Sequence, residues 1–311
     1  MIDIHIVDAG GTHERVTVEL LRRQRYLEAM GIRARRTFVT NGAEAVRLLL
    51  AGEGDVAMQV GFGPALRAIA EGAPLRVVAG ANLLTVHTVY SRQPDIRRLA
   101  DLVGRSMGIG ASGALTHQLI HAALVKAGID PVTVRFVSIG NSAAIFRALL
   151  AGEVDAGFGE TEVFEHQARY GVHALEGGVL WEELPDFPNQ ASFATLAAIR
   201  DKRDALVRTL AAHALLYRCL QDPASWADYA AAWAAALPES SLDEGRIQWQ
   251  FYQRHRPFAD DLLLPEASLG YLQALNVAMG LQREALPVGA VADMSLAGDA
   301  LRLATAAEAL T

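Results

Sequence analysis

Residues 41–57 (NGAEAVRLLLAGEGDVA) return one hundred residues later as residues 141–157 (NSAAIFRALLAGEVDAG). Nine of the seventeen positions are identical, including a Leu-Leu-Ala-Gly-Glu core and the aspartates Asp55 and Asp155. The likeness extends upstream. Met30-Gly31-Ile32 leads into Thr37-Phe38-Val39 as Ala127-Gly128-Ile129 leads into Arg135-Phe136-Val137. Chance matching in Ala/Leu-rich sequence is the alternative, and the shared order of strand, helix, strand, helix speaks against it. The repeat describes two similar units, each too short to be a large domain alone.

The pattern around each copy gives the fold class. Residues 2–8 alternate apolar and polar, the period of a strand. Thr12 is placed to cap a following helix, with Glu14 in its first turn, and Gly31 to end it. A strand at 32–39, a helix at 43–51, a buried strand at 55–60, a helix at 63–71 and a strand at 75–79 follow. In the second copy, strands are expected at 106–109 and 154–158. Strands and helices alternating through short links predict an α/β fold with a mainly parallel sheet. Residues 85–90 read as an extended crossover, and 191–199 as a stretch that returns the chain. Helices are expected at 201–221, 223–236, 241–256 and 265–281, the third opening on a Ser241/Glu244 capping box. The expected organisation is two Rossmann-like lobes with a hinge, a central cleft and extra C-terminal helices. Lobe 1 comprises residues 1–86 plus about 192–311, and lobe 2 residues 87–191.

Composition narrows the function. The net charge of −7 and a pI near 5.7 argue against a nucleic-acid binder, which shows a basic face, and against a polybasic membrane binder. The single cysteine, Cys219, excludes an internal disulfide and zinc sites built on paired cysteines. Mean hydropathy is high at +0.19. No uncharged apolar run approaches the roughly 18 residues of a spanning helix, and the excess lies in alanine, as at 227–236. The chain opens directly on a strand, with no basic and apolar leader pattern. A cytoplasmic protein, or a periplasmic one given from its mature start, is therefore expected.

Ligands of open α/β sheets bind beyond the carboxyl ends of the strands. The loops there are 9–13, 40–43 and 61–63 in the first lobe, and 110–116, 139–142 and 159–162 in the second. They nominate Gly11, Thr12, His13, Asn41, Gly61 and Phe62, with Ser112, Gly113, Thr116, Asn141, Ser142 and Glu160, as ligand-binding residues. Asn41 and Asn141 stand at equivalent places and can cap a helix or present an amide to a ligand. Phe62 can offer a stacking face or fill core. Glu160, a solvated carboxylate or a partner for a cationic or amino-bearing ligand, has no acidic counterpart in the first lobe. No phosphate loop with its lysine, HExxH or Gly-x-Ser-x-Gly elbow occurs. No cofactor and no metal are expected, and Cys219 reads as buried filler.

Residues 42–80 (GAEAVRLLLAGEGDVAMQVGFGPALRAIAEGAPLRVVAG) resemble the first-lobe signature of solute-binding proteins of ABC importers. The group handles nitrate, aliphatic sulfonates, taurine and pyrimidine precursors of thiamine. Residues 94–105 (PDIRRLADLVGR) resemble the group's I-x-x-L-A-D-L-x-G-K entry to the second lobe. The likeness covers about residues 1–220. It implies the type II periplasmic binding fold, a small polar or heteroaromatic ligand, a membrane permease as partner, a monomer and a periplasmic location. Two departures stand out. The cysteine-rich segment of the eukaryotic thiamine-pyrimidine synthases of this fold is absent. Gly159-Glu160-Thr161-Glu162 replaces the aromatic-rich loop of many sulfonate binders, which tilts the expectation toward a ligand with N–H donors, such as an aminopyrimidine. The alternative is a cytoplasmic lyase or decarboxylase on the same fold, with Glu160, His13 or Asn141 as catalytic candidates. A cytoplasmic sensor domain ranks last, since no helix-turn-helix flanks the lobes.

Overall fold

Ten strands are described in the computed structural model: β1 (Ile2–Ala9), β2 (Ile32–Val39), β3 (Val56–Val60), β4 (Leu75–Gly80), β5 (Thr88–Ser91), β6 (Ser106–Ile109), β7 (Arg135–Ser138), β8 (Ala156–Gly159), β9 (His173–Val179) and β10 (Ala191–Thr195). The structure describes residues 1–9 and 11–309, leaving aside the side chains of Ala9, Thr12 and His13. The chain divides into two compact units, Met1–Leu83 with Pro188–Thr311, and Leu84–Phe187.

The first unit carries a sheet of order β2-β1-β3-β10-β4, the second one of order β7-β6-β8-β5-β9. In each, the first three strands run parallel. In each, the fourth place is filled antiparallel by the strand that has just arrived from the other unit, β10 or β5. The repeat in sequence is thus a repeat in topology.

The twin aspartates show why the motif recurs. The Asp55 carboxylate accepts the His5 backbone N–H at 2.8 Å, and the Asp55 N–H donates to the His5 carbonyl at 2.8 Å. Asp155 makes the same two-way contact with Ser106, whose N–H and hydroxyl both reach its carboxylate at 2.7 Å. Each aspartate ties the approach to the sheet's central strand, β3 or β8, onto its parallel neighbour, β1 or β6. Each preceding helix ends at a glycine in the left-handed region, Gly52 (φ 73°) and Gly152 (φ 75°), where any side chain is strained.

Three expectations are corrected. The first helix is capped at Gly11 rather than Thr12. The return stretch stops being a strand at Thr195, whose hydroxyl accepts the Ala198 N–H and starts the helix Leu196–Asp201. The expected 201–221 helix is therefore broken at Lys202, and its main part is Arg203–Leu220. A further helix, Ser295–Glu308, lies beyond the predicted ones and packs along Arg203–Leu220. Among the described residues no helix is long and apolar enough to cross a membrane.

Candidate functional site

Because β1, β2 and β3 are parallel, the turns that leave them open on one edge of the sheet. Gly11, Asn41 and Gly61 are the N-cap residues of the three helices that start there. The loop 9–13 falls partly outside the described residues, and so do the Thr12 and His13 side chains. Asn41 acts as a cap: its Oδ1 accepts the Glu44 N–H at 3.0 Å while its Nδ2 donates to Thr40 Oγ1 at 3.1 Å. Phe62 turns inward. It is 1% exposed and meets Phe193 edge-on at 5.9 Å, so the ring nominated for stacking on a ligand is core packing.

Sequence reasoning missed the polar layer behind this edge. Ile4, Ile6 and Asp8 share one face of β1, and Asp8 is buried there. Arg36 grips it through two bonds, Nε at 2.9 Å and Nη2 at 2.7 Å. An acid continuing an apolar stripe is the signal that asks for a buried cation. The helix Arg203–Leu220 packs over β1 and β2 and brings His213 and Tyr217, both fully buried. His213 Nδ1 donates to the Thr209 carbonyl at 2.8 Å, which leaves Nε2 as a bare acceptor. Arg36 Nη1, His213 Nε2 and Tyr217 Oη have no hydrogen-bond partner among the described residues. Burial, then the Arg36 charge, hold the imidazole pKa down at about 3. Burial, then Asp8, push the Tyr217 phenol well above its ordinary value.

The incoming crossover supplies more. Ala191 stands opposite both Val60 and Gly80, so residues 188–191 sit at the carboxyl edge. Gln190 Nε2 donates to Glu14 Oε1 at 2.7 Å. Nearby, buried Gln59 adopts a left-handed φ of 55° at the end of β3 and donates to Thr17 Oγ1 at 3.3 Å. A non-glycine residue in that region marks local strain of the kind stored at working sites.

In the second unit the hydrogen bonds that hold the turns after β6 and β7 run between neutral groups. Gly110 N–H donates to Thr116 Oγ1 at 2.8 Å, so Thr116, nominated as a ligand contact, is a buried latch for its own turn. Gly113 (φ 75°) donates its N–H to His117 Nδ1 at 2.9 Å. Burial, then His121, lower the His117 pKa to about 4. Ser112 is exposed at the tip of this turn. Asn141 caps the helix Ser142–Ala151 by accepting the Ala144 N–H at 2.9 Å, after Gly140 at φ 148°. Ser142 Oγ lies 2.7 Å from His87 Nε2, and His87 Nδ1 2.8 Å from Thr85 Oγ1. His87 comes from the crossover at residues 85–90, where sequence alone signals only a connection. Glu160 is partly buried at the N-cap of the short helix Thr161–Glu165. Ser112, Asn141, Ser142 and Glu160 thus occupy the turns after β6, β7 and β8.

A cavity of about 390 Å3 opens at the opposite edge of the first sheet, lined by Asp3, His5, Arg33, Arg35, Asp55 and Lys202. Its charges are largely spent on one another, Arg33 on Asp3 at 2.5 Å and Lys202 on Asp55 at 2.8 Å. Among the described residues no cluster of three His, Cys, Asp or Glu side chains is arranged to hold a metal.

Solved structures place this architecture. The alkanesulfonate-binding protein SsuA from Xanthomonas axonopodis pv. citri, bound to MOPS, superposes with a TM-score of 0.76 at 18% identity, over 93% of this chain and 97% of that one. The periplasmic aliphatic sulphonate binding protein SsuA from Escherichia coli gives 0.74 at 17% identity, over 94% and 92%. The desulfurization enzyme DSZB gives 0.69 at 14%, over 97% and 99%. Likeness at these identities establishes a shared fold, that of the periplasmic binding proteins. No curated protein sequence matches the chain. The family model described as NMT1/THI5 like matches residues 22–215, more than half of the sequence, and spans both copies of the repeat. The chain belongs to the NMT1/THI5-like family.

Proposed function

We propose that this protein captures a small polar or heteroaromatic solute and delivers it to the membrane permease of an ABC importer, acting as a monomer in the periplasm. The observation that carries the reading is the shared strand order of the two sheets. It puts the turns at Gly11, Asn41 and Gly61, and those at Ser112, Asn141–Ser142 and Glu160, at the carboxyl edges where α/β sheets take ligands. Structural neighbours described as sulfonate-binding proteins support it.

Thermal unfolding of the whole chain against alkanesulfonates, aminopyrimidines and small aromatic acids tests the proposal. A ligand at one hundred times its Kd adds about 2.7 kcal/mol of stability. The reading fails if no compound raises Tm and native mass spectrometry of the purified protein finds no retained small molecule.

A second reading, an enzyme acting on a small aromatic acid, rests on the fold shared with DSZB. Cys219 is an unpromising nucleophile for it: burial raises the thiol pKa although Tyr26 hydrogen-bonds it. Product formation from aromatic sulfinates or carboxylates, lost in Glu160→Gln, is the result that favours catalysis over capture.

A further inference from the structure

The Thr85–His87–Ser142 chain has a direction, and that direction decides what Ser142 can offer. Thr85 is fully buried, and its Oγ1 accepts the His87 backbone N–H at 3.3 Å besides meeting Nδ1 at 2.8 Å. If Nδ1 carried the proton, Thr85 Oγ1 would accept twice, and its own buried O–H would have no partner among the described residues. A buried donor left unmade is costly. The other arrangement satisfies every atom. The Thr85 hydroxyl donates to Nδ1, Nε2–H donates to Ser142 Oγ, and Ser142 keeps its own proton to give. Ser142 is only partly buried at the carboxyl edge, so that proton can reach a bound molecule.

We infer that His87 is a positioning residue that holds the Ser142 hydroxyl as an outward hydrogen-bond donor, so that this turn selects ligands presenting an oxygen acceptor, such as a sulfonate or carboxylate. The inference rests on the solute-capture reading. It narrows the expectation drawn from Glu160: whatever the ligand presents to that acid, it presents an acceptor to Ser142. Phe158 meets the imidazole edge-on at 5.6 Å and helps fix its plane.

Imidazole nitrogen NMR on the full-length protein reads the tautomer without any ligand. The expected result is protonated Nε2 with Nδ1 as acceptor, and protonated Nδ1 overturns the assignment. Calorimetry with ethanesulfonate reads the consequence. Ser142→Ala and His87→Phe should each weaken binding about tenfold, and His87→Gln, whose amide can still donate, should recover part of it. Thr85→Val, which removes the donor to Nδ1, carries the same test should His87→Phe fail to fold. Unchanged ethanesulfonate affinity in these variants overturns the proposal. Wild-type binding of guanidinium but not ethanesulfonate overturns the acceptor preference and leaves solute capture standing. If neither probe binds, the acceptor preference at Ser142 is overturned, solute capture is decided by the wider thermal screen and the retained-ligand measurement, and the tautomer alone decides the assignment of His87.

Discussion

In the first unit β1 passes the approach to β3 with Val7 against Gly54. In the second, β6 passes the approach to β8 with Gly108 against Val154. A Cβ on Gly54 would fall 2.5 Å from Val7 Cγ2, and one on Gly108 would fall 3.4 Å from Val154 Cγ2 and 3.0 Å from Ile145 Cγ2. The bulk has changed sides while the contact has kept its volume. The same substitution of means appears at the carboxyl edges. The first unit backs its edge with the buried ion pair Asp8–Arg36, the second with the neutral chain Thr85–His87–Ser142. The repeat conserves strand order and packed volume, and it leaves each unit to solve its polar problem differently.

The ion pair gives the strongest way to break this contrast. Asp8 is 3% and Arg36 14% exposed as side chains. Asp8→Asn leaves the guanidinium buried against a neutral amide, which should destabilise the protein by about 3–5 kcal/mol in chemical denaturation. Replacing both, Asp8→Val with Arg36→Leu, should recover most of that loss, because an apolar pair of similar volume suits a low-dielectric site. A double variant as unstable as Asp8→Asn would show that the first unit needs the charges themselves.

The swap of bulk comes next. Gly54→Val should cost about 3 kcal/mol by overpacking Val7. Adding Val7→Gly recreates the arrangement of the second unit and should return at least half of it, read as a coupling energy in a double-mutant cycle. Additive losses would mean that the two contacts are not equivalent.

Acid should then separate the units' interiors. His213 lies under the first sheet with its pKa held near 3, against an ordinary value of 6.5. A depressed pKa means that the unfolded chain binds the proton more readily. His213 therefore costs nothing above pH 6.5, and stability drains as pH falls below it, by about 1.4 kcal/mol per unit. At pH 5 the loss is about 2 kcal/mol. His213→Phe should flatten the fall of stability between pH 6.5 and 5 by that amount, leaving the shares of half-buried His5 in the first unit and of His117 and His121 in the second, all lowered first by burial. A slope unchanged by the substitution would place the acid-sensitive group elsewhere.

These features also mark how far the sequence could be read. The one-hundred-residue offset exposed both sheets because strand-to-helix punctuation is local: Gly52, Gly152, Asn41 and Asn141 act on their own turns. The place of β10 between β3 and β4 was hidden, because antiparallel insertion of a returning strand depends on contacts more than one hundred residues apart. Site residues divided in the same way. Asn41 and Asn141 read as helix caps or ligand amides, and each makes the capping bond. His87 and Arg36 were invisible as site groups because their partners, Ser142 and Asp8, lie 55 and 28 positions away. Phe62 was ambiguous for a physical reason: an aromatic after a strand can face a ligand or the core, and only packing against Phe193 decides.

The twin caps give the smallest effect and the finest comparison. Asn41→Ala and Asn141→Ala each remove one side-chain bond to a helix N–H, worth about 1 kcal/mol of stability, measurable as equal shifts in denaturation midpoint. Equal losses are expected because both Oδ1 atoms do the same job, at 3.0 and 2.9 Å. Ligand affinity need not follow suit. Asn41 Nδ2 is already bonded to Thr40, whereas Asn141 precedes Ser142, the hydroxyl that His87 orients. Asn141→Ala should therefore weaken ethanesulfonate binding more than Asn41→Ala does, by loosening the turn that carries Ser142. Equal stability losses with equal affinity losses would argue that both turns contact the ligand alike, and would return the two units to the symmetry that their sequences suggest.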